Sequence, residues 1–409
     1  MRIRIIGAGR VGAPLGAWFM LKEQHVKFIE INQELLEQVL TGNLPWEEPY
    51  LNETLEDEVP EFHIDDDDSC DWTFISVGTP VVNGIPVLDH IEGIVKDLEL
   101  ETNVVLRSTV APGTCDALAK KFNRTIWHAP ERLLLGQGME ELDDLPQIIG
   151  STGPGEIIST NEFMRAFGGL FPKFVAGTAI EAECAKISNN IMRYIEFAAG
   201  TELSEQFEML GANNRVVRNM MTDSYDRGRI SFPSFVGSYC LNKDWQMLSH
   251  ATGTRSIVAS AADHYNQTLD RRLICENVGA FTNSSLAGKT VVILGLTYKP
   301  ELDDCRESPS FRIIESCLAE ECTNIIVHDP IVDVDKELAL YCSSLRIMDD
   351  GFLKVTSTND AQAAIRLADV VICATAHEEY SRNFDFKPDT IIVDPSGTLT
   401  SDSNFVWRA

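Results

Sequence analysis

Residues Gly7-Ala-Gly9-Arg10-Val11-Gly12 set three glycines in a GxGxxG spacing between an apolar run, Ile3-Arg-Ile-Ile6, and a second one, Ala13-Pro-Leu-Gly16-Ala-Trp-Phe-Met. Read as strand, turn and helix, the spacing has a physical purpose at each position. The first glycine permits a tight turn, the second lets backbone approach a pyrophosphate, and the third lets the helix pack on the strand. The helix then turns its free N–H groups and its positive dipole end toward phosphate oxygens. A second strand, Val26-Lys-Phe-Ile-Glu30, ends in a carboxylate 23 positions past Gly7, where a ribose diol would be held. An acid there repels a 2′-phosphate, so NAD is expected rather than NADP. A bare GxGxxG is common by chance; strand, glycines, helix, strand and terminal acid together make a strong signal.

The apolar runs continue in the same alternation. Strands are expected at Trp72–Val77, ending in Gly78-Thr79-Pro80, and at Asn103–Arg107, ending in Ser108-Thr109-Val110. Hydroxyls at strand C-termini lie where open parallel sheets bind ligands. A further strand at Trp127-His128 ends beside a charged pair, Glu131-Arg132, and the apolar stretch Gln147–Gly150 follows. Asp65–Asp68 is read as a solvated loop. From Thr178 to about Leu210, Ile180, Cys184, Ile187, Ile191, Tyr194, Ala198, Leu203 and Phe207 recur at helical spacing and predict one long helix or two abutting ones. Lys186 and Asn190 share a face of it at i, i+4. A new α/β unit starts at Leu286–Leu296 without a glycine triplet, so a second dinucleotide is not expected there. Its loop offers two cations, Lys299 and Arg306. The expected organisation is α/β: Rossmann-like doubly wound domains at 1–177 and 280–409, joined by a long central helix within a helical dimerisation region at 178–279.

A chain of 409 residues supports that many cores. Lys plus Arg number 34 against 62 Asp plus Glu, a net charge of −28, which opposes nucleic acid and anionic membranes. Any binder of phosphates in such a chain has to gather its cations locally. No stretch suggests a membrane span or a secretory signal, so a cytoplasmic protein is expected. The ten cysteines show no CxxC pair and no Cys/His cluster, so no metal site is expected and reduced thiols are the default. One of them, Cys240, follows a Gly-containing bend and precedes a helix start, with Lys243 and Asp244 three and four residues on. A thiol beside a cation and a helix N-terminus is an environment that makes a nucleophile. A small buried hydrophobe is the commoner role of a single cysteine.

With these motifs in view, nearly the whole chain resembles the UDP-glucose/GDP-mannose dehydrogenase family. The resemblance rests on GAGRVG, VGTP at 77–80, STVAPGT at 108–114, PER at 130–132, AECAKISNN at 182–190, GSYCLNKD at 237–244, GLTYKPELDDCRESP at 295–309 and HDP at 328–330. It implies NAD bound at Gly7, Gly9, Arg10, Val11, Gly12, Glu30, Thr79 and Thr109, with Arg306 near the cofactor. It implies Cys240 as nucleophile, Lys186 and Asn190 as the oxyanion and substrate-orienting pair, and Glu131, Thr109 and Asp244 as water- and proton-handling groups. Arg132 and Lys299 join Glu131, Lys186 and Asn190 around the substrate, with Arg229 a candidate. The reaction implied is a four-electron oxidation of a nucleotide-sugar C6 alcohol to a carboxylate, two NAD being reduced. The substrate implied is a UDP-hexose, a UDP-N-acetylhexosamine or a GDP-sugar, and the assembly a homodimer, with higher oligomers left open. Three features depart from the family pattern: Ser238-Tyr239 stands where a second glycine is usual, the segment from Arg227 to Cys240 is short, and Asp394-Pro-Ser-Gly replaces a usual Asp-Gly-Arg. PERLLLGQGMEEL and TAHEEY are similar to the UDP-N-acetylmannosamine branch, whereas Lys243-Asp244 is similar to the UDP-glucose and GDP-mannose branches. Two other classes stay open at this point, a two-electron 3-hydroxyacid dehydrogenase and a non-catalytic nucleotide-sugar binder.

Overall fold

The computed structural model describes residues 1–46, 48–57, 69–153, 156–228, 230–278, 285–345, 355–400 and 405–408. Asp65–Asp68 and Arg229 lie outside the described residues. The chain divides into two compact units, Met1–Ile191 with Lys243–Ser256, and Met192–Asn242 with Ile257–Ala409.

The first unit is built on strands β1 (Arg2–Ile6), β2 (His25–Ile29), β3 (Trp72–Ile75), the hairpin β4 (Val81–Val82) and β5 (Ile85–Pro86), β6 (Asn103–Leu106), β7 (Ile126–His128), β8 (Gln147–Ser151) and β9 (Phe174–Thr178). Seven of these form one sheet in the order β2-β1-β3-β6-β7-β8-β9. All neighbours in it are parallel except β7 and β8, which run antiparallel. Ile3, Ile5, Phe74 and Val105 are fully buried because helices cover both faces, which is why these strands read as continuous apolar runs. One face packs on a cluster of rings, with Trp72 edge-on to Trp127 at 5.1 Å and to Phe163 at 5.4 Å. Because β1 is flanked by β2 on one side and β3 on the other, the strand order reverses there, and a crevice opens at its C-terminal end.

In the second unit, β10 (Thr290–Leu294), β11 (Asn324–His328), β12 (Val355–Ser357), β13 (Val370–Cys373), β14 (Ile391–Asp394) and β15 (Phe405–Arg408) form a parallel sheet in the order β12-β11-β10-β13-β14-β15. Its first strand ends like that of the first unit. Gly295 has the same φ of +92° as Gly7, and each donates its N–H at 2.8 Å to the last carbonyl of the strand alongside, His328 and Ile29 respectively. The two glycines that follow Gly7 in the triplet, Gly9 and Gly12, have no counterpart after Gly295. Helices Asn214–Thr222, Ile257–Arg271 and Pro309–Ala319 also belong to this unit. The long helix expected from Thr178 is a single element, Ala179–Met209, of 31 residues.

Candidate active site

In the first unit, the glycine turn is compact for steric reasons. A Cβ on Gly7 would lie 2.6 Å from the Ser76 carbonyl oxygen, and one on Gly12 only 1.9 Å from the Gly7 carbonyl oxygen. A Cβ on Gly9 would meet nothing within 4 Å, so the backbone there faces open space. Helix Gly12–Leu21 starts at Val11 with no side chain capping its first turn, which leaves N–H groups for an anion. Glu30 stands one residue past β2. Its carboxylate accepts from the Ala8 N–H at 2.9 Å and the Asn32 N–H at 3.0 Å, which holds it beside the turn. The Arg10 guanidinium lies over the Trp46 ring at 5.3 Å. Past the ends of β3 and β6, the Thr79 hydroxyl donates to the Thr109 carbonyl at 2.6 Å. An open glycine, an uncapped helix start and a ribose-height carboxylate together fit NAD.

A second cluster in this unit collects the sequence-predicted polar residues. The Lys186 ammonium contacts Glu131 Oε1 at 3.1 Å, with side chains only 6% and 13% exposed, so the pair is largely desolvated. Glu131 Oε2 also accepts from the Leu133 N–H at 2.8 Å. Burial raises the Glu131 pKa, but Lys186, Arg107 and the hydrogen bonds overcome it and leave the carboxylate below its ordinary range. One turn along the helix, the Asn190 amide donates to Asp244 Oδ2 at 2.6 Å, and the other oxygen of Asp244 takes Lys243 at 3.0 Å. Asp244 is wholly buried. Lys243 and Asp244, three and four residues after Cys240, form an ion pair with each other. Arg132 is exposed and donates to the Pro146 carbonyl at 2.6 Å.

The second unit holds Cys240, in a loop that ends where helix Leu241–Thr252 begins. Its N–H donates to the Ser238 hydroxyl at 3.3 Å. Gly237 brings this loop against the Glu307–Pro309 turn, and Asn242 donates to Glu307 Oε2 at 3.1 Å. Arg306, from the same turn, lies 5.8 Å over the Tyr239 ring while its guanidinium grips Asp304. That grip raises the Arg306 pKa most, and the Cys240 sulfur adds to it. Two motifs more than fifty residues apart, GSYCLNKD and the 295–309 block, thus meet around one cysteine.

Lys299 sits in a loop that the other strings brace. The Asp329 carboxylate accepts from the Leu296 and Thr297 N–H groups at 2.6 and 3.1 Å, and His377 meets Thr297 Oγ1 at 3.0 Å and the Glu301 N–H at 3.2 Å. Asp329 and His377 explain the HDP and TAHEEY strings. The sequence pattern alone gives neither residue a task.

These features define an NAD-dependent oxidoreductase with a second nucleotide-binding unit. The chain belongs to the UDP-glucose/GDP-mannose dehydrogenase family: the family's NAD binding domain matches residues 1–167, its central domain 180–268 and its UDP binding domain 292–400. It is an NAD-dependent nucleotide-sugar 6-dehydrogenase. The UDP-N-acetyl-D-mannosamine dehydrogenase of Campylobacter jejuni is 26% identical to it, over 93% of this chain and 96% of the relative. The UDP-glucose 6-dehydrogenase of Pseudomonas aeruginosa is 25% identical, over 95% and 90%. In fold it is similar to the UDP-D-ManNAc dehydrogenase of Pyrococcus horikoshii, with a TM-score of 0.83 at 21% identity, covering 100% of this chain and 98% of that one. Among the described residues, no helix is long and apolar enough to cross a membrane.

Proposed function

We propose that the chain oxidises C6 of UDP-N-acetyl-D-mannosamine from alcohol to carboxylate, with Cys240 as the nucleophile. The observation that carries the reading is the pair of desolvated contacts on one helix face, Lys186 to Glu131 and Asn190 to Asp244. They hold an ammonium and an amide donor next to two carboxylates, the groups that both oxidation and hydrolysis call for. NAD supplies the hydride acceptor for each of the two oxidations.

The residues divide the remaining work. After the first oxidation, the Cys240 thiolate forms a C–S bond to the aldehyde carbon, and the oxygen takes up a proton to give a thiohemiacetal. The second oxidation leaves a thioester on Cys240. Water then attacks with Glu131 as the base that receives its proton, the C–S bond breaks and the thiolate departs. Negative charge develops on the C6 oxygen at each stage, so Lys186 and Asn190 serve throughout. Asp244 and Thr109 handle the protons, Arg132, Lys299 and Arg229 orient the nucleotide sugar, and Arg306 serves the cofactor. Three domains, 1–177, 178–279 and 280–409, carry out these tasks. The names of the relatives and the PERLLLGQG string support the N-acetylmannosamine sugar.

We also propose a cytoplasmic homodimer. Met192, Met209, Met220 and Phe232, all in the second unit, are each more than 60% exposed, and a partner subunit would cover them.

The test is an NADH assay across UDP-N-acetylmannosamine, UDP-N-acetylglucosamine, UDP-glucose, UDP-galactose and GDP-mannose. UDP-N-acetylmannosamine is expected to give two NADH and one uronate per sugar, and Cys240→Ala to abolish the uronate. One NADH per sugar with a stable aldehyde or ketone sinks the four-electron reading. Binding without any reduction would point to a non-catalytic binder.

A further inference from the structure

Arg107 is among the largest fully buried side chains, only 1% exposed, and it stands one residue past the C-terminal end of β6. Its Nη1 donates to the Ala129 carbonyl at 3.0 Å and to Gln147 Oε1 at 2.8 Å. Gln147 in turn donates to the Pro130 carbonyl at 3.1 Å. The two side chains therefore clamp the two peptide carbonyls that immediately precede Glu131. Arg107, Glu131, Leu142, Pro146, Gln147 and Phe171 border one small cavity.

Packing alone is a poor reason for this arginine. A buried guanidinium loses several kcal/mol of hydration, roughly, and an apolar residue of similar volume often serves stability as well or better. The Arg107 Nε finds no hydrogen-bond partner among the described residues, so the site does not even satisfy the whole fork. What the position does supply is charge. Burial pushes the Arg107 pKa down to about 10, with Glu131 opposing, so the group remains a cation at neutral pH. The charged and titratable groups around Glu131 are Lys186 from helix Ala179–Met209, Arg107 from the end of β6, His128 from β7, and Arg132 and Glu141 at the cavity wall. His128 is buried beside the two inner cations, and burial pushes its pKa down to about 3, so it adds no charge.

We propose that Arg107 is a positioning residue for Glu131: it clamps the Ala129–Pro130 backbone with Gln147 and supplies the second buried positive charge facing the Glu131 carboxylate. This rests on reading Glu131 as the base for thioester hydrolysis. Among the described residues, removing the charge leaves Lys186 as the one buried cation opposite Glu131, so the carboxylate protonates at higher pH.

The experiment is the pH dependence of kcat for uronate formation with NAD and UDP-N-acetyl-D-mannosamine, in wild type, Arg107→Met, Arg107→Lys and Glu131→Gln. Arg107→Met is expected to move the acidic limb up by about one pH unit, since a facing opposite charge shifts a carboxylate by roughly 1–3 units. Arg107→Lys keeps the charge and is expected to return the limb toward wild type. If kcat or KM falls in Arg107→Met while the limb stays in place, Arg107 is structural and the proposal fails. Should Arg107→Met not fold, Gln147→Glu sets a neutralising carboxylate on the same guanidinium and is expected to give the same shift; an unmoved limb there overturns the proposal. Glu131→Gln separates the two ideas. Full uronate formation by that variant removes Glu131 as the base, whatever Arg107 does.

Discussion

Gly237 has no room for a methyl group. A Cβ there would lie 2.3 Å from the Glu307 carbonyl oxygen and 2.6 Å from Pro309 Cδ, inside any normal contact. The residues that replace a second glycine act as supports in this chain. Ser238 accepts from the Cys240 N–H, and the Tyr239 ring sits beneath Arg306. The loop that carries the sulfur is thus fixed by one steric and two polar constraints. Gly237→Ala is expected to push it off the Glu307–Pro309 turn, because backbone cannot yield as a flexible side chain would. A displacement near 1 Å costs about a hundredfold in a positioned reaction, so a kcat loss of one to two orders of magnitude is the expected result. Overpacking of this kind destabilises by about 1–3 kcal/mol, a modest drop in melting temperature. Wild-type kcat in a folded Gly237→Ala protein would show that the loop does not depend on this contact.

Helix Ala179–Met209 performs two unlike tasks on neighbouring turns. Lys186 and Asn190 reach the carboxylates of the candidate site, while Glu183, 1% exposed, caps a different helix. Its carboxylate accepts from the Gly113 N–H at 2.6 Å and the Cys115 N–H at 2.8 Å, at the start of helix Thr114–Phe122. Burial outweighs these bonds and raises the Glu183 pKa to about 6. A carboxyl whose folded pKa lies above its unfolded value binds its proton more tightly when folded. Its contribution to stability is therefore fully present below pH 4.5 and is lost as pH rises through 6. The shift corresponds to about 2 kcal/mol. Glu183→Gln, which does not titrate, should gain on wild type in melting temperature between pH 4.5 and 7. A constant gap across that range would contradict the raised pKa. This cap also marks the limit of what the sequence reveals. GxGxxG, Glu30 and the i, i+4 pair were legible because backbone geometry links residues close in the chain. Glu183 capping Gly113, Arg107 clamping Ala129 and His377 bracing Thr297 join residues 22 to 80 positions apart. Such pairs leave no periodic trace. The short strands β12 and β15 and the antiparallel step at β7–β8 escaped for a related reason: few residues, with partners set by the sheet.

At the scale of the whole molecule, the net charge of −28 acts against both the fold and the ligand. The enzyme binds two anionic molecules, and several of its 34 basic residues are committed inside it: Lys186 and Lys243 to carboxylates, Arg107 to the backbone before Glu131. Those cations are held against buried carboxylates and backbone and do not neutralise the surface. The surface carboxylates are left to repel one another across distances comparable to the Debye length. That length falls from roughly 10 Å at 0.1 M to 3 Å at 1 M salt. Added potassium chloride should therefore raise the melting temperature steadily over this range. Buried pairs such as Lys186–Glu131 are screened far less, so they do not offset the gain. Chloride is the right salt for the measurement, since sulfate strengthens burial by exclusion from the surface. A melting temperature that stays flat or falls between about 0.05 and 1 M potassium chloride would mean that surface ion pairs, and not self-repulsion, dominate the electrostatics of this chain.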